Sequence, residues 1–128
     1  MEFEKFSGNV IHGLGLGRQL HFPTANLSLQ QGEIPQNGVY IVAVQYLKQT
    51  YYGIMNIGTR PTTRRSERSI EIHILNFNHD IYNQQLTVEP LYFLRAEQKF
   101  ANLQALQSQI EKDKQQALDF LSQQHLNI

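Results

Sequence analysis

The strongest constraint on this chain is a change of hydrophobic period along its length. Up to about residue 94, apolar and β-branched runs of strand length recur between Gly, Pro, Asn and Ser punctuation, and much of the alternation has period two. Beyond residue 102 the period becomes that of a helix. Six strands are expected, over residues 3–11, 22–29, 39–47, 51–57, 69–77 and 86–94. No helical stretch separates them, which argues against a parallel sheet built from βαβ units, and the short link Lys48-Gln49-Thr50 suits a hairpin. The expected fold is mainly β, an antiparallel barrel of six strands. Pro90 cannot donate to a ladder, so the last strand should meet a rim or a bulge there.

The tail should be one helix packed on that barrel, over about residues 102–122. Asn102 is placed to cap it, and Leu103, Leu106, Ile110, Ala117, Leu118 and Leu121 mark one apolar face. The remaining face carries many glutamines with Glu111, Lys112, Asp113 and Lys114; it reads as solvated surface and is assigned no chemistry.

At 128 residues the chain is expected to form a single domain. Cysteine is absent, which excludes thiol nucleophiles, CxxC zinc sites, iron–sulfur ligation and disulfide frameworks. Eleven basic residues balance eleven acidic ones, so the chain lacks the bulk charge that would draw it to DNA or an anionic membrane. Phosphate chemistry, if any, has to be local. The N-terminus has no apolar h-region, and no apolar run approaches the length of a membrane span, so a soluble cytoplasmic protein is expected.

Four stretches could carry chemistry. In His12-Gly13-Leu14-Gly15-Leu16-Gly17-Arg18, glycines at alternate positions allow a backbone to approach a phosphate, although the spacing matches neither standard nucleotide fingerprint and also suits a flexible hairpin loop. In Phe22-Pro23-Thr24-Ala25-Asn26, an extended backbone would put the Thr24 hydroxyl and the Asn26 carboxamide on one face. Two neutral oxygens suit Mg²⁺, which completes its octahedron from water and substrate phosphates; they also suit plain turn or ladder hydrogen bonds. In Ile70-Glu71-Ile72-His73-Ile74, alternation places three isoleucines on one face and Glu71 with His73 on the other, which offers Glu71 as a general base. His73 reads as a hydrogen-bonding residue, since no second histidine stands at ligand spacing on the strand. Finally, Arg60, Arg64, Arg65 and Arg68 are four of the chain's six arginines within nine residues. They read either as a flap that lowers charge onto a polyphosphate or as a solvated hairpin.

Taken in order, GNVIHGLGLGRQLHFPTANL, NGVYIVAV, MNIGTRPT, SIEIHILNF with DIY, and FLRAEQKFANLQALQSQIEKD resemble the riboflavin kinase family, including the C-terminal kinase module of bacterial bifunctional FAD synthetases. The resemblance spans nearly the whole chain. It implies a six-stranded Greek-key barrel with a C-terminal helix, and transfer of the ATP γ-phosphoryl group to the ribityl 5′-hydroxyl of riboflavin, giving FMN and ADP. By the same resemblance, Gly13, Gly15 and Arg18 belong to a loop over the ATP phosphates, and Thr24 and Asn26 hold Mg²⁺ and the nucleotide. Glu71 takes the place of the catalytic base, while Arg95 and Phe100 contact the flavin.

Two positions depart from the family pattern. His21 stands where LGFPTAN has Gly, and Asn83 stands where Asp-x-Tyr is followed by Gly; Asn tolerates the positive φ such a turn requires. An HxGH-type adenylyltransferase motif is missing from these residues, so FAD synthesis is not expected of them, although the chain would also fit as a module of a longer bifunctional protein. The competing reading is a non-catalytic flavin-binding barrel. A single-stranded nucleic-acid binder is disfavoured by neutrality and by the absence of tryptophan.

Overall fold

In the computed structural model, the described residues are 3–11, 24–61 and 66–126. Six strands, β1 (Phe6–Ile11), β2 (Ala25–Gln31), β3 (Gly38–Tyr46), β4 (Gln49–Pro61), β5 (Ser66–Ile74) and β6 (Gln85–Arg95), precede one long helix, α1 (Leu103–Gln123). The strands close into an antiparallel barrel in the order β1-β2-β5-β4-β3-β6. Strands β3, β4 and β5 form a meander, and β6 returns beside β3, which is the Greek-key connection. The expected fold class is the observed one.

Alternation decides what faces inward. Val10, Leu27, Tyr40, Val42, Met55, Ile57, Ile70, Ile72 and Val88 belong to the buried barrel core. Strand β3 is buried along almost its whole length, as its unbroken run Val39-Tyr40-Ile41-Val42-Ala43-Val44 demands. Tyr40, Val42 and Val44 point into the barrel, while Val39 and Ile41 meet Ala117 and Leu121 of α1 on the outside. Burying each such aliphatic side chain contributes about 1.5–3 kcal/mol, so a few of them suffice to dock a helix that would be marginal alone. Asn102 caps α1 as expected, its Oδ1 accepting from the Ala105 N–H at 2.8 Å.

The β3–β4 hairpin is tighter than expected. Tyr46 pairs with Gln49, leaving only Leu47 and Lys48 in the turn, both at positive φ (50° and 67°) as in a type I′ turn. Asn83 also has positive φ (68°), so it fills the glycine-like position without changing the turn. Strands β4 and β5 run past Ile57 and begin before Ser69, because Gly58, Thr59, Arg60 and Pro61 continue the ladder opposite Ser69, Arg68, Glu67 and Ser66.

Two bulges on β6 decide which way its last side chains point. Between the pairs Val42–Pro90 and Ile41–Tyr92 one extra residue, Leu91, is inserted, and between Tyr40–Phe93 and Val39–Arg95 a second, Leu94. Pro90 thus sits at a bulge, as its missing N–H predicts, and beyond Val88, the last residue paired with β1. Phe93 points into the barrel, where its ring meets that of Tyr40 edge-on at 5.2 Å. Strict alternation from Phe93 would turn Arg95 inward too; the Leu94 bulge turns it outward instead, opposite Val39.

Candidate active site

The register wraps a row of residues around the outside of the barrel. Asn26 on β2 pairs with Glu71 on β5, Glu71 with Asn56 on β4, Asn56 with Val39 on β3, and Val39 with Arg95 on β6. Partners in a ladder share a face, so one carboxylate, two carboxamides and one guanidinium lie along one outward-facing row. The alternation of Ile70, Ile72 and Ile74 into the core puts Glu71 and His73 outward together, as the sequence requires. His73 pairs with Ile54 and adds a second row beside the first.

Helix α1 and the segment from Arg95 to Phe100 cover part of this face and leave a cleft of about 150 Å³. Thr24, Glu71, His73 and Asn56 line its barrel wall, and Phe100, Leu106, Ile110 and Asp113 line the opposite wall. Val39 and Ile54 make its floor apolar. Thr24, Glu71, Arg95 and Phe100 therefore all line one cleft. Asn26 is buried on the same row, beside Glu71. Gly13, Gly15, Arg18 and His21 lie outside the described residues.

The arginine cluster divides. Arg68 is in β5, not on a flap: its Nε donates to Asn37 Oδ1 at 2.9 Å and its Nη2 to the Pro35 carbonyl, while Asn37 Nδ2 donates to Thr59 Oγ1 at 2.7 Å. Tyr40 holds the same segment, its hydroxyl donating to the Gln36 carbonyl at 2.6 Å. Burial pushes the Tyr40 phenol above its ordinary pKa, against the opposing pull of Arg68, which keeps it a donor. Arg68 thus ties β5 to the segment that leads into β3. Arg64 and Arg65 lie outside the described residues.

Asp113 corrects the expectation of a solvated helix face. It is 3% exposed and takes Arg95 in a two-pronged ion pair, with Arg95 Nε to Oδ1 and Nη2 to Oδ2 both at 2.8 Å. Gln109 Nε2 adds a third donor to Oδ1 at 3.0 Å. Arg95 Nη1 turns back to the Ala96 carbonyl at 3.2 Å, and the guanidinium carbon lies 6.0 Å from the Phe100 ring centroid. The residue signalled itself by spacing: Leu106, Ile110, Asp113, Ala117 and Leu121 fall on one helical stripe. Asn56, Gln109 and Gly58 were also left out of the expected site. A Cβ at Gly58 would meet the end of the Glu97 side chain, so the bare backbone leaves room for that carboxylate beside β4.

Chemically, the cleft brings the carboxylates of Glu71, Glu97 and Asp113 and the neutral oxygens of Thr24 and Asn56 together with the apolar Val39, Ile54, Leu106 and Ile110 and the Phe100 ring. No helix among the described residues is long and apolar enough to cross a membrane. The family model described as "Flavokinase: Riboflavin kinase" matches residues 3–121. The bifunctional riboflavin kinase/FMN adenylyltransferase of Pseudomonas fluorescens is 43% identical over 110 residues, covering 85% of this chain and 35% of its own length. The chain thus spans little more than a third of the bifunctional relatives it matches. A Streptococcus pneumoniae crystal structure, named as a macrolide-efflux protein, superposes with TM-score 0.82 at 34% identity over 87% of this chain and 37% of that one. The riboflavin kinase of Trypanosoma brucei shares the fold, with TM-score 0.63 at 24% identity over 95% of this chain and 82% of that one. With the family model matching from the first barrel strand well into α1, the chain belongs to the riboflavin kinase family.

Proposed function

We propose that this chain transfers the γ-phosphoryl group of ATP to the ribityl 5′-hydroxyl of riboflavin, giving FMN and ADP. The observation that carries the reading is the row Asn26, Glu71, Asn56, Val39, Arg95 opening into the cleft beneath α1. On this reading Glu71 and the neutral oxygens serve the reacting hydroxyl and the phosphates, while Phe100 and the Arg95 guanidinium serve the flat heterocycle.

Glu71 is the base. In a loose phosphoryl-transfer transition state the proton leaves late, so its carboxylate first orients the 5′-hydroxyl by accepting its hydrogen bond and takes the proton as transfer completes. Isoleucines 70 and 72, buried on either side, fix the strand that aims it. Thr24 and Asn26 fit a hard divalent cation through neutral oxygens, one on the cleft and one buried beside the Glu71 carboxylate. When bound there with the nucleotide, Mg²⁺ offsets charge on the phosphates. Gly13, Gly15 and Arg18, which lie outside the described residues, take the role over the ATP phosphates on the family resemblance alone. Phe100 and the Arg95 guanidinium offer planar surfaces to the isoalloxazine. The adenylyltransferase activity in the bifunctional relatives' names is no part of this proposal.

Incubation with riboflavin, ATP and MgCl₂, followed by chromatographic separation of the flavins, should yield FMN in step with ADP. No FMN after prolonged incubation at high protein concentration refutes the proposal, and flavin binding that ignores Mg-nucleotide would favour a non-catalytic barrel. Asn26→Ala should raise the apparent KM for Mg-ATP by about tenfold, with partial rescue by excess Mg²⁺. An equal deficit at every Mg²⁺ concentration would remove Asn26 from the metal site.

A further inference from the structure

The Arg95–Asp113 pair is more elaborate than helix docking requires. The apolar cluster of Ala117 and Leu121 with Val39, Ile41, Ile54 and Leu75 already holds α1 to the barrel, yet the helix also buries a carboxylate that takes two donors from Arg95 on β6 and one from Gln109. Burying a charge is costly unless its partners are well placed, so such a network invites a role beyond cohesion. Its location suggests the role. Asp113, Arg95 and Phe100 all line the cleft, and Gln109 stands one turn from Asp113 on the same helix.

The pair also limits what Arg95 can do. Its two-pronged edge is taken by Asp113, and Nη1 donates to the Ala96 carbonyl, so three of its five N–H groups are committed and the plane of the guanidinium is fixed. That plane is held near Phe100. With Asp113 removed, the guanidinium would be free to rotate about its flexible stem, and the wall would lose its fixed plane.

We propose that Asp113, supported by Gln109, is a positioning residue for the flavin: it holds the Arg95 guanidinium and Phe100 as one preformed wall of the cleft. The inference rests on the reading that the flavin occupies the slot between the barrel and α1. A positioning role predicts a selective effect, because the nucleotide donors Thr24 and Asn26 and the base Glu71 come from β2, its preceding residue and β5, none of them tied to Asp113 through the network.

The test is steady-state kinetics on Asp113→Asn, Asp113→Glu, Gln109→Leu and Phe100→Ala, run well below each variant's melting temperature. Asp113→Asn should raise the riboflavin KM by about tenfold while the ATP KM and kcat stay within about threefold. Asp113→Glu, which keeps the charge, should recover most of the loss. Gln109→Leu, which leaves the ion pair, should raise the riboflavin KM by about two- to threefold and decides the matter if Asp113→Asn does not fold. Equal changes in both KM values, or a lowered melting temperature with an unchanged riboflavin KM, would overturn the positioning role. Phe100→Ala separates this from the site itself. If it raises the riboflavin KM while the Asp113 and Gln109 variants do not, only the positioning role fails; if it too has no effect, the flavin slot is misplaced.

Discussion

Glu71→Gln should lower kcat by about 10²- to 10⁴-fold while riboflavin and Mg-ATP still bind within about twofold of the parent protein. The substitution keeps the size of the side chain, and its strand is held from both sides, by Asn26 on β2 and Asn56 on β4. Geometry should survive. The amide oxygen can still accept the hydrogen bond that orients the 5′-hydroxyl, but it cannot take the proton, so the chemical step alone is penalised. Glu71→Ala, which removes orientation as well, should fall at least as far. The measurement is FMN formation at saturating substrates together with a flavin fluorescence titration. Unchanged turnover in Glu71→Gln would take Glu71 out of the base role, and a parallel loss of flavin binding would make it a binding residue instead.

How much of this site could be read without the fold depends on which residues are followed. Glu71 was legible because its neighbours Ile70 and Ile72 alternate with it over a short distance, where period two is unambiguous. The partners on either side of it were not. Which residues of β2 and β4 stand opposite Glu71 depends on cross-strand register, which is set by closure of the whole barrel. Strand ends were misjudged where local punctuation competes with pairing: Gly58 and Pro61 look like breakers, yet the ladder with β5 carries the strand through them. Arg68 shows the same limit. Its place in a run of arginines suggested a mobile flap, but its bonds go to Asn37 and the Pro35 carbonyl, more than thirty residues earlier in the chain.

Arg95 was reached through the family resemblance and not through the pattern of its own strand, and Asp113 was missed, for different reasons. A bulge at Leu94 decides which way Arg95 points, and a one-residue insertion leaves little trace in a hydrophobic pattern. Asp113 was visible in principle. Its immediate neighbours Glu111, Lys112 and Lys114 made it look like part of a solvated charge run, whereas its spacing from Ile110 and Ala117 put it on the buried stripe. Period outranks composition on a helix, because burial tracks the angle around the axis and not adjacency in the chain.

The buried pair should therefore respond asymmetrically to loss of either member. Arg95→Met leaves the Asp113 carboxylate, only 4% exposed in its side chain, with Gln109 as its remaining side-chain donor; the expected loss is about 3 kcal/mol, at the lower end for breaking a buried pair. Asp113→Leu leaves Arg95, 20% exposed, which can turn toward water, and the expected loss is about 1–2 kcal/mol. The double variant Arg95→Met with Asp113→Leu should be more stable than Arg95→Met alone, because two apolar groups of similar volume remove the stranded charge. Urea unfolding of the four proteins measures this as a double-mutant cycle. Set against a domain stability of about 5–15 kcal/mol, the single losses are large enough to shift the midpoint clearly. Strictly additive single effects would show that the two side chains, though 2.8 Å apart, are not energetically coupled. A double variant that regains stability but not riboflavin affinity would show that cohesion and positioning are separate duties of the same pair, since apolar packing can replace the first and cannot hold a guanidinium plane against Phe100.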